Sequence, residues 1–160
     1  MSAAAEALSA LAAREWTLGV AESLTGGAVA AELVSVAGAS SVLLGAVVAY
    51  ATPVKQTLLG VDGHLLATQG PVRAEVARQM AVGVRRAVRV DGRDADVGVS
   101  TTGIAGPDSP DGQPVGTVHI AAVTPIASRT EAFVFAGDRA AVRSQAVAAA
   151  LALLSRLARE

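Results

Sequence analysis

The chain contains no cysteine, which excludes disulfides, thiolate nucleophiles and cysteine-ligated metal centres outright. Aromatic residues make up 2% of its 160 positions, against 52% hydrophobic residues overall. Its core must therefore be built from alanine, valine and leucine, whose small side chains suit closely packed helix and sheet layers. Neither sign of charge is in excess: 13 basic and 14 acidic residues leave a net charge of -1. That balance gives no electrostatic case for nucleic acid or an anionic membrane as the main partner. Long uninterrupted hydrophobic runs are missing too, and the richest, Val42 to Ala51, is of strand length, short of the roughly 18 to 20 residues that cross a bilayer. The opening residues carry Glu6 and no basic segment followed by an apolar run, so no secretory signal is read and a cytoplasmic location is expected.

The scarcest residues say most. Lysine and tyrosine each occur once, at Lys55 and Tyr50, and the other twelve basic side chains are all arginine. A lysine kept in such a chain points to something arginine cannot do, namely lose its proton and act as a base. The spacing of Tyr50 and Lys55, with Pro53 between them, fits a strand ending near Tyr50, a turn, and a helix starting at or just after Pro53. Both side chains can then converge on one pocket. Ser40 and Ser41 lie upstream, and Ser23 further back. Serine, lysine and tyrosine are the parts of a hydrolase that uses neither histidine nor metal.

Taken in order, residues 3 to 15 read as a helix, Trp16 to Ser23 as a strand, and Gly26 to Val36 as a helix. The turn between them, AESLTGG, sets Glu22, Ser23 and Thr25 at the carboxyl end of a strand, the usual ligand edge of an open α/β sheet. Thr25, Gly26 and Gly27 can offer backbone amides to an anion. Neither a P-loop nor a dinucleotide fingerprint is present. Val42 to Ala51 reads as a strand covered on both faces, followed by a short helix to Leu59, turns at Asp62, Gly63 and Gly70, and a long helix from Val72 to Arg89. Val97 to Thr101 is a strand leading into TTGIAGPDSPDGQPVG, whose four glycines and three prolines suit a rigid wall of a ligand site. Asp108 and Asp111 in that loop lack a calcium-loop pattern. Strands follow at 115 to 123 and 130 to 135, with Ser128 and Arg129 near the intervening turn. The last helix starts from Asp138 as N-cap and carries Arg139 and Arg143 on one face of its first turns, where a phosphate would find both a dipole and guanidinium donors. His64 reads as a surface residue and His119 as a partly buried one. The pattern predicts a single α/β domain of three-layer α/β/α architecture with a mixed sheet.

Five blocks in order, AESLTGG at 21–27, VAGASSVLLGAVVAYATPVKQTLLGV at 36–61, TTGIAGP at 101–107, PVGTVHIA at 114–121 and GDRAAVR at 137–143, resemble the C-terminal domain of the competence/damage-inducible CinA proteins. The resemblance extends over residues 5 to 158. It implies a nicotinamide-nucleotide amidohydrolase that converts nicotinamide mononucleotide to nicotinate mononucleotide and ammonia, without cofactor or metal, in a homo-oligomer. Carried over by position, it implies Ser40 as nucleophile with Lys55 and Tyr50 as the proton-transfer pair; Ser23, at a sharper strand-to-helix turn, is the rival nucleophile. Ser23, Thr25, Gly26, Thr102, Gly103, Ala105 and Arg143 would line the substrate pocket, Arg143 as a phosphate ligand. Ala51, Thr52 and Pro53 depart from the family's more typical serine or threonine, asparagine and glutamate before Val54 and Lys55. A catalytically silent nucleotide-binding module using the same pocket is the alternative.

Overall fold

In the computed structural model, which describes residues 1–160, apolar strand runs alternate with helix-period segments as the pattern requires. The strands are β1 (Leu18–Glu22), β2 (Leu43–Val48), β3 (Val97–Gly103), β4 (Thr117–Val123) and β5 (Ser128–Val134). The helices are α1 (Ala3–Ala13), α2 (Ala28–Val34), α3 (Thr52–Leu59), α4 (Gly63–Gln69), α5 (Ala74–Ala87) and α6 (Arg139–Arg159). One mixed sheet runs in the order β2-β1-β3-β4-β5. β1 is parallel to both β2 and β3, whereas β4 is antiparallel to β3 and β5. Helices α1, α2 and α6 cover one face and α3, α4 and α5 the other, giving the three-layer α/β/α domain.

Alternation along the strands divides the core. On β4, Val118, Ile120 and Ala122 join the larger cluster with α1 and α6, while Ala121 and Val123 turn toward Ala77 and Ala81 of α5. Each fully buried valine or leucine contributes about 1.5–3 kcal/mol, and the scarcity of bulky rings makes close approach of the layers essential. Gly98 in β3 shows how it is reached: a Cβ there would stand 1.9 Å from the Ala81 carbonyl oxygen. Gly83 in α5 does the same for α3, since its Cβ would meet the Leu59 carbonyl oxygen at 1.7 Å. That contact sets the depth at which α3 lies against the domain.

Helix ends follow the local chemistry. Asp138 caps α6 by accepting from the Ala141 amide, Ser2 caps α1 through the Ala5 amide, and α3 has Pro53 in its first turn and Gly60 at φ +69° beyond its end. Helix α6 is long and apolar enough to cross a membrane by length and composition; here Val142, Ala146, Ala150, Leu153 and Leu157 are buried in the core.

Three expectations change. Residues 63–69 form helix α4 rather than a string of turns, because Asp62 accepts from the His64 amide and starts a helix that buries Leu66. β2 is an edge strand with half-exposed and exposed residues, not one covered on both faces. Ser128 and Arg129 belong to β5, with Arg129 paired to Glu160.

Candidate active site

Parallel neighbours end at the same edge of a sheet. Glu22, the last residue of β1, is in register with Val48 of β2, so the turn after β1 lies beside the turn after β2. Ser23 opens the first turn, and Ala49 and Tyr50 lie in the second, from which α3 carries Lys55 back under the edge. Lys55 is 1% exposed. Its Nζ donates to Ser23 Oγ at 3.0 Å, to the Ala49 carbonyl at 2.8 Å and to the Tyr50 carbonyl at 3.3 Å. An ammonium has three hydrogens, and all three are used. Burial pulls the Lys55 pKa from its ordinary 10.5 down to about 8, because the interior disfavours the charged form.

Above this pair lies a cleft of about 280 Å³ bordered by Ser23, Tyr50, Lys55, Thr102, Ala105 and Arg139. The loop after β3 makes its far wall. Thr102 donates to the Pro71 carbonyl at 2.9 Å and Gln113 Nε2 to the Val72 carbonyl at 3.1 Å, which ties that loop to the segment between α4 and α5. Gly103 is required where the loop leaves the sheet, since a Cβ there would lie 2.7 Å from Val118 and 2.8 Å from the Thr117 carbonyl. Arg139 spans the mouth: Nη2 donates to the Tyr50 hydroxyl at 3.0 Å and Nη1 to the Gly106 carbonyl. Asp108 and Asp111 stand on the outer rim.

The turn from Ser23 to Gly27 is held from beneath. Glu22 is fully buried, and its carboxylate accepts from the amides of Val29 at 2.9 Å and Ala30 at 3.0 Å. Arg143 donates from Nε to the Leu24 carbonyl at 2.9 Å and from Nη2 to the Thr25 carbonyl at 3.2 Å. The amides of Leu24, Thr25 and Ala105 make no hydrogen bond within the protein, and Leu24 and Ala105 both border the cleft.

Ser23, Tyr50, Lys55, Thr102, Gly103 and Ala105 are thus brought around one cleft. Ser40 is not. It is exposed on a single helical turn at Ala39–Ser41, ahead of β2, and so at the opposite end of a six-residue strand, roughly 20 Å from the Lys55 edge at 3.3 Å per residue. The lysine's serine partner is Ser23. Tyr50 also departs from expectation: the residue is 61% exposed and its hydroxyl meets Arg139, so only its backbone carbonyl reaches Lys55. Thr25 turns its hydroxyl to Thr101 at 2.9 Å, and Gly26 is exposed at φ +60°. Arg143 spends its guanidinium on backbone carbonyls and borders a separate depression with Glu32 and Ser144. Arg139, one helical turn earlier, is the arginine at the cleft. Its place at the start of α6 was the signal for it. His119 is half-buried with Nδ1 unpartnered, and burial and Arg73 lower its pKa. No three His, Asp or Glu side chains converge as a metal site would require.

The structure is thus an α/β/α domain with a mixed sheet that sets a serine hydroxyl against a buried lysine at the carboxyl edge of its parallel strands. Residues 1–158 match the CinA C-terminal domain, and the chain belongs to that family. It is 44% identical over 150 residues to a CinA-like protein of Frankia casuarinae, covering 94% of this chain and 34% of that protein. A CinA-like protein of Anaeromyxobacter dehalogenans is 49% identical over 146 residues, 90% of this chain and 34% of the relative. The chain therefore spans about a third of the length of these relatives. Among solved structures, the competence damage-inducible protein A (ComA) of Klebsiella pneumoniae superposes with a TM-score of 0.88 at 36% identity, over 96% of this chain and 93% of that one. A competence/damage inducible protein of Agrobacterium tumefaciens gives 0.88 at 31% identity, over 97% and 93%.

Proposed function

We propose that this domain hydrolyses the carboxamide of nicotinamide mononucleotide to nicotinate mononucleotide and ammonia through a Ser23 acyl-enzyme. The observation that carries the proposal is the 3.0 Å contact between Ser23 Oγ and the Nζ of a lysine that is 1% exposed.

In the reactive form Lys55 is neutral, with two hydrogens and one lone pair. The Ala49 and Tyr50 carbonyls take the two hydrogens, which turns the lone pair to Ser23. Ser23 Oγ attacks the carboxamide carbon and its proton passes to Lys55. The carbonyl oxygen becomes an oxyanion facing the unpartnered amides of the cleft, a stabilisation worth several kcal/mol in such sites. Lys55 then returns the proton to the leaving nitrogen as the C–N bond breaks and ammonia departs. In the second half Lys55 takes a proton from the water that attacks the acyl-enzyme and gives it to Ser23 Oγ as the Oγ–C bond breaks and nicotinate mononucleotide leaves. Arg139 is the phosphate ligand, exchanging the neutral Tyr50 hydroxyl for phosphate oxygens, whose negative charge and bidentate fit to a guanidinium favour the exchange. We further propose that the domain works in the cytoplasm and as a homo-oligomer.

The test is ammonia release from nicotinamide mononucleotide by the purified protein in the presence of a chelator, with Ser23→Ala as control. Turnover lost in the variant supports the proposal. Tight nucleotide binding by calorimetry with no turnover in the wild type would overturn it and leave a silent binding module.

A further inference from the structure

The hydroxyl of Thr101 touches neither the cleft nor Lys55, yet it meets the nucleophile's turn at two points. Registered pairing between β1 and β3 ends at Ala21 and Ser100, while β3 continues to Gly103. Thr101 therefore stands one residue past the last rung, level with the start of the turn. The Ser23 N–H is shared between the Thr101 carbonyl at 3.1 Å and the Thr101 hydroxyl at 3.3 Å. The same hydroxyl lies 2.9 Å from Thr25 Oγ1, and both threonines are buried.

The rest of the turn leaves little freedom. The Ser23 carbonyl accepts from the Gly26 amide at 3.1 Å, and Arg143 holds the Leu24 and Thr25 carbonyls toward α6. A trans peptide is planar, with its C=O and the following N–H pointing in opposite directions. Fixing the Ser23 carbonyl therefore turns the Leu24 N–H away from Gly26, and fixing the Leu24 carbonyl turns the Thr25 N–H away from α6. What remains is to pin Ser23 itself, and Thr101 is the sole partner of its amide.

We infer that Thr101 is a positioning residue whose hydroxyl, shared by the Ser23 amide and the Thr25 hydroxyl, sets the turn that aims Ser23 Oγ at Lys55 and presents the Leu24 amide to an oxyanion in the cleft. This rests on the serine–lysine reading above. Thr101 acts on the transition state through the turn, so its loss lowers kcat and spares KM.

The test uses T101V, T101S and the double variant T25V/T101V. T101V strands the buried Thr25 hydroxyl and lowers Tm; the double variant replaces both hydroxyls with methyl groups of similar shape and recovers it. We expect T101V to lose about tenfold or more in kcat for ammonia release with KM within about twofold, T101S to restore kcat, and the double variant to recover Tm while kcat stays low. Recovery of kcat together with Tm, or an unchanged kcat in T101V, overturns the inference. A second readout is independent of the substrate: the rate at which an aryl fluorophosphonate modifies Ser23, followed by intact mass. There the Oγ–P bond forms, the P–F bond breaks, the serine proton passes to Lys55 and fluoride leaves. We expect the T101V rate to fall at least about tenfold, and an equal rate overturns the inference. A wild type that is labelled but releases no ammonia refutes the amide substrate alone, and the labelling rates still decide Thr101. A wild type that is not labelled overturns both.

Discussion

Lys55 should make this protein more stable as the pH rises from 7 to 9.5, against the trend of a molecule losing cationic charge. Its amine titrates near 10.5 in the unfolded chain and at about 8 in the folded one. Between those values the unfolded state binds more protons, so raising the pH favours the folded state. Below about 8 the ammonium is charged in both states, and the folded protein bears the full penalty of burying it, about 3 kcal/mol for the separation of these values. By pH 9.5 about 2 kcal/mol of that penalty is relieved. In Lys55→Met the contribution is absent and every other group titrates as before. The difference in unfolding free energy, wild type minus variant, should therefore rise by about 2 kcal/mol between pH 7 and 9.5, or roughly 4–8 °C in Tm for a chain of this size. Urea unfolding of both proteins at the two pH values measures it. The same ionisation governs turnover: about a tenth of Lys55 is neutral at pH 7, roughly 300-fold more than at its ordinary pKa, so kcat/KM should climb to a plateau above about 8. Lys55→Arg keeps the charge and cannot deprotonate, so it should bind nucleotide without turning it over. A stability difference that does not change with pH, or an active Lys55→Arg, would refute the reasoning.

Ser23→Ala should lower kcat by about 10³-fold or more, while Ser40→Ala, altered at an exposed position on another part of the surface, stays within about twofold; steady-state ammonia assays decide between them. Arg139→Met should raise KM for nicotinamide mononucleotide about tenfold or more, the worth of a charged hydrogen bond, and leave turnover of the phosphate-free riboside unchanged; equal effects on both substrates would remove Arg139 as the phosphate ligand. Gly83→Ala places a Cβ 1.7 Å from the Leu59 carbonyl and should cost about 3 kcal/mol or more in urea unfolding, because α3 has to move off α5 and take Lys55 with it.

The fold was legible because its signals are local. Strand runs of valine and alanine, the Asp138 cap and the apolar period of α6 each report on neighbours a few residues away. Helix α4 escaped notice because glycine and aspartate at 62–63 read as a turn, whereas the aspartate serves as an N-cap. β2 looked doubly covered because an edge strand beside an apolar groove carries as few charges as a central one.

The site was legible in its residue types and not in its pairings, and the reason lies in strand direction. Lys55 stood out because a lone lysine among arginines is a chemical signal that needs no coordinates. Choosing its serine needed topology. Ser40 is nearer in sequence, but a residue before a strand and one after it are separated by the whole strand. Ser23 is farther in sequence, yet residues that follow two adjacent parallel strands share one edge. Given parallel β1 and β2, that rule alone would have selected Ser23. It would also have selected Thr101, since β3 is parallel to β1 as well and ends at the same edge. Three chain segments far apart in sequence therefore meet at this edge: the Ser23 hydroxyl after β1, the Lys55 amine returned by the helix after β2, and the Thr101 hydroxyl near the end of β3, which meets the Ser23–Thr25 turn. The arginines obey a different geometry. Arg139 and Arg143 share a face of α6, but one helical turn, about 5.4 Å, separates an arginine over the cleft from one beneath the turn that forms its floor.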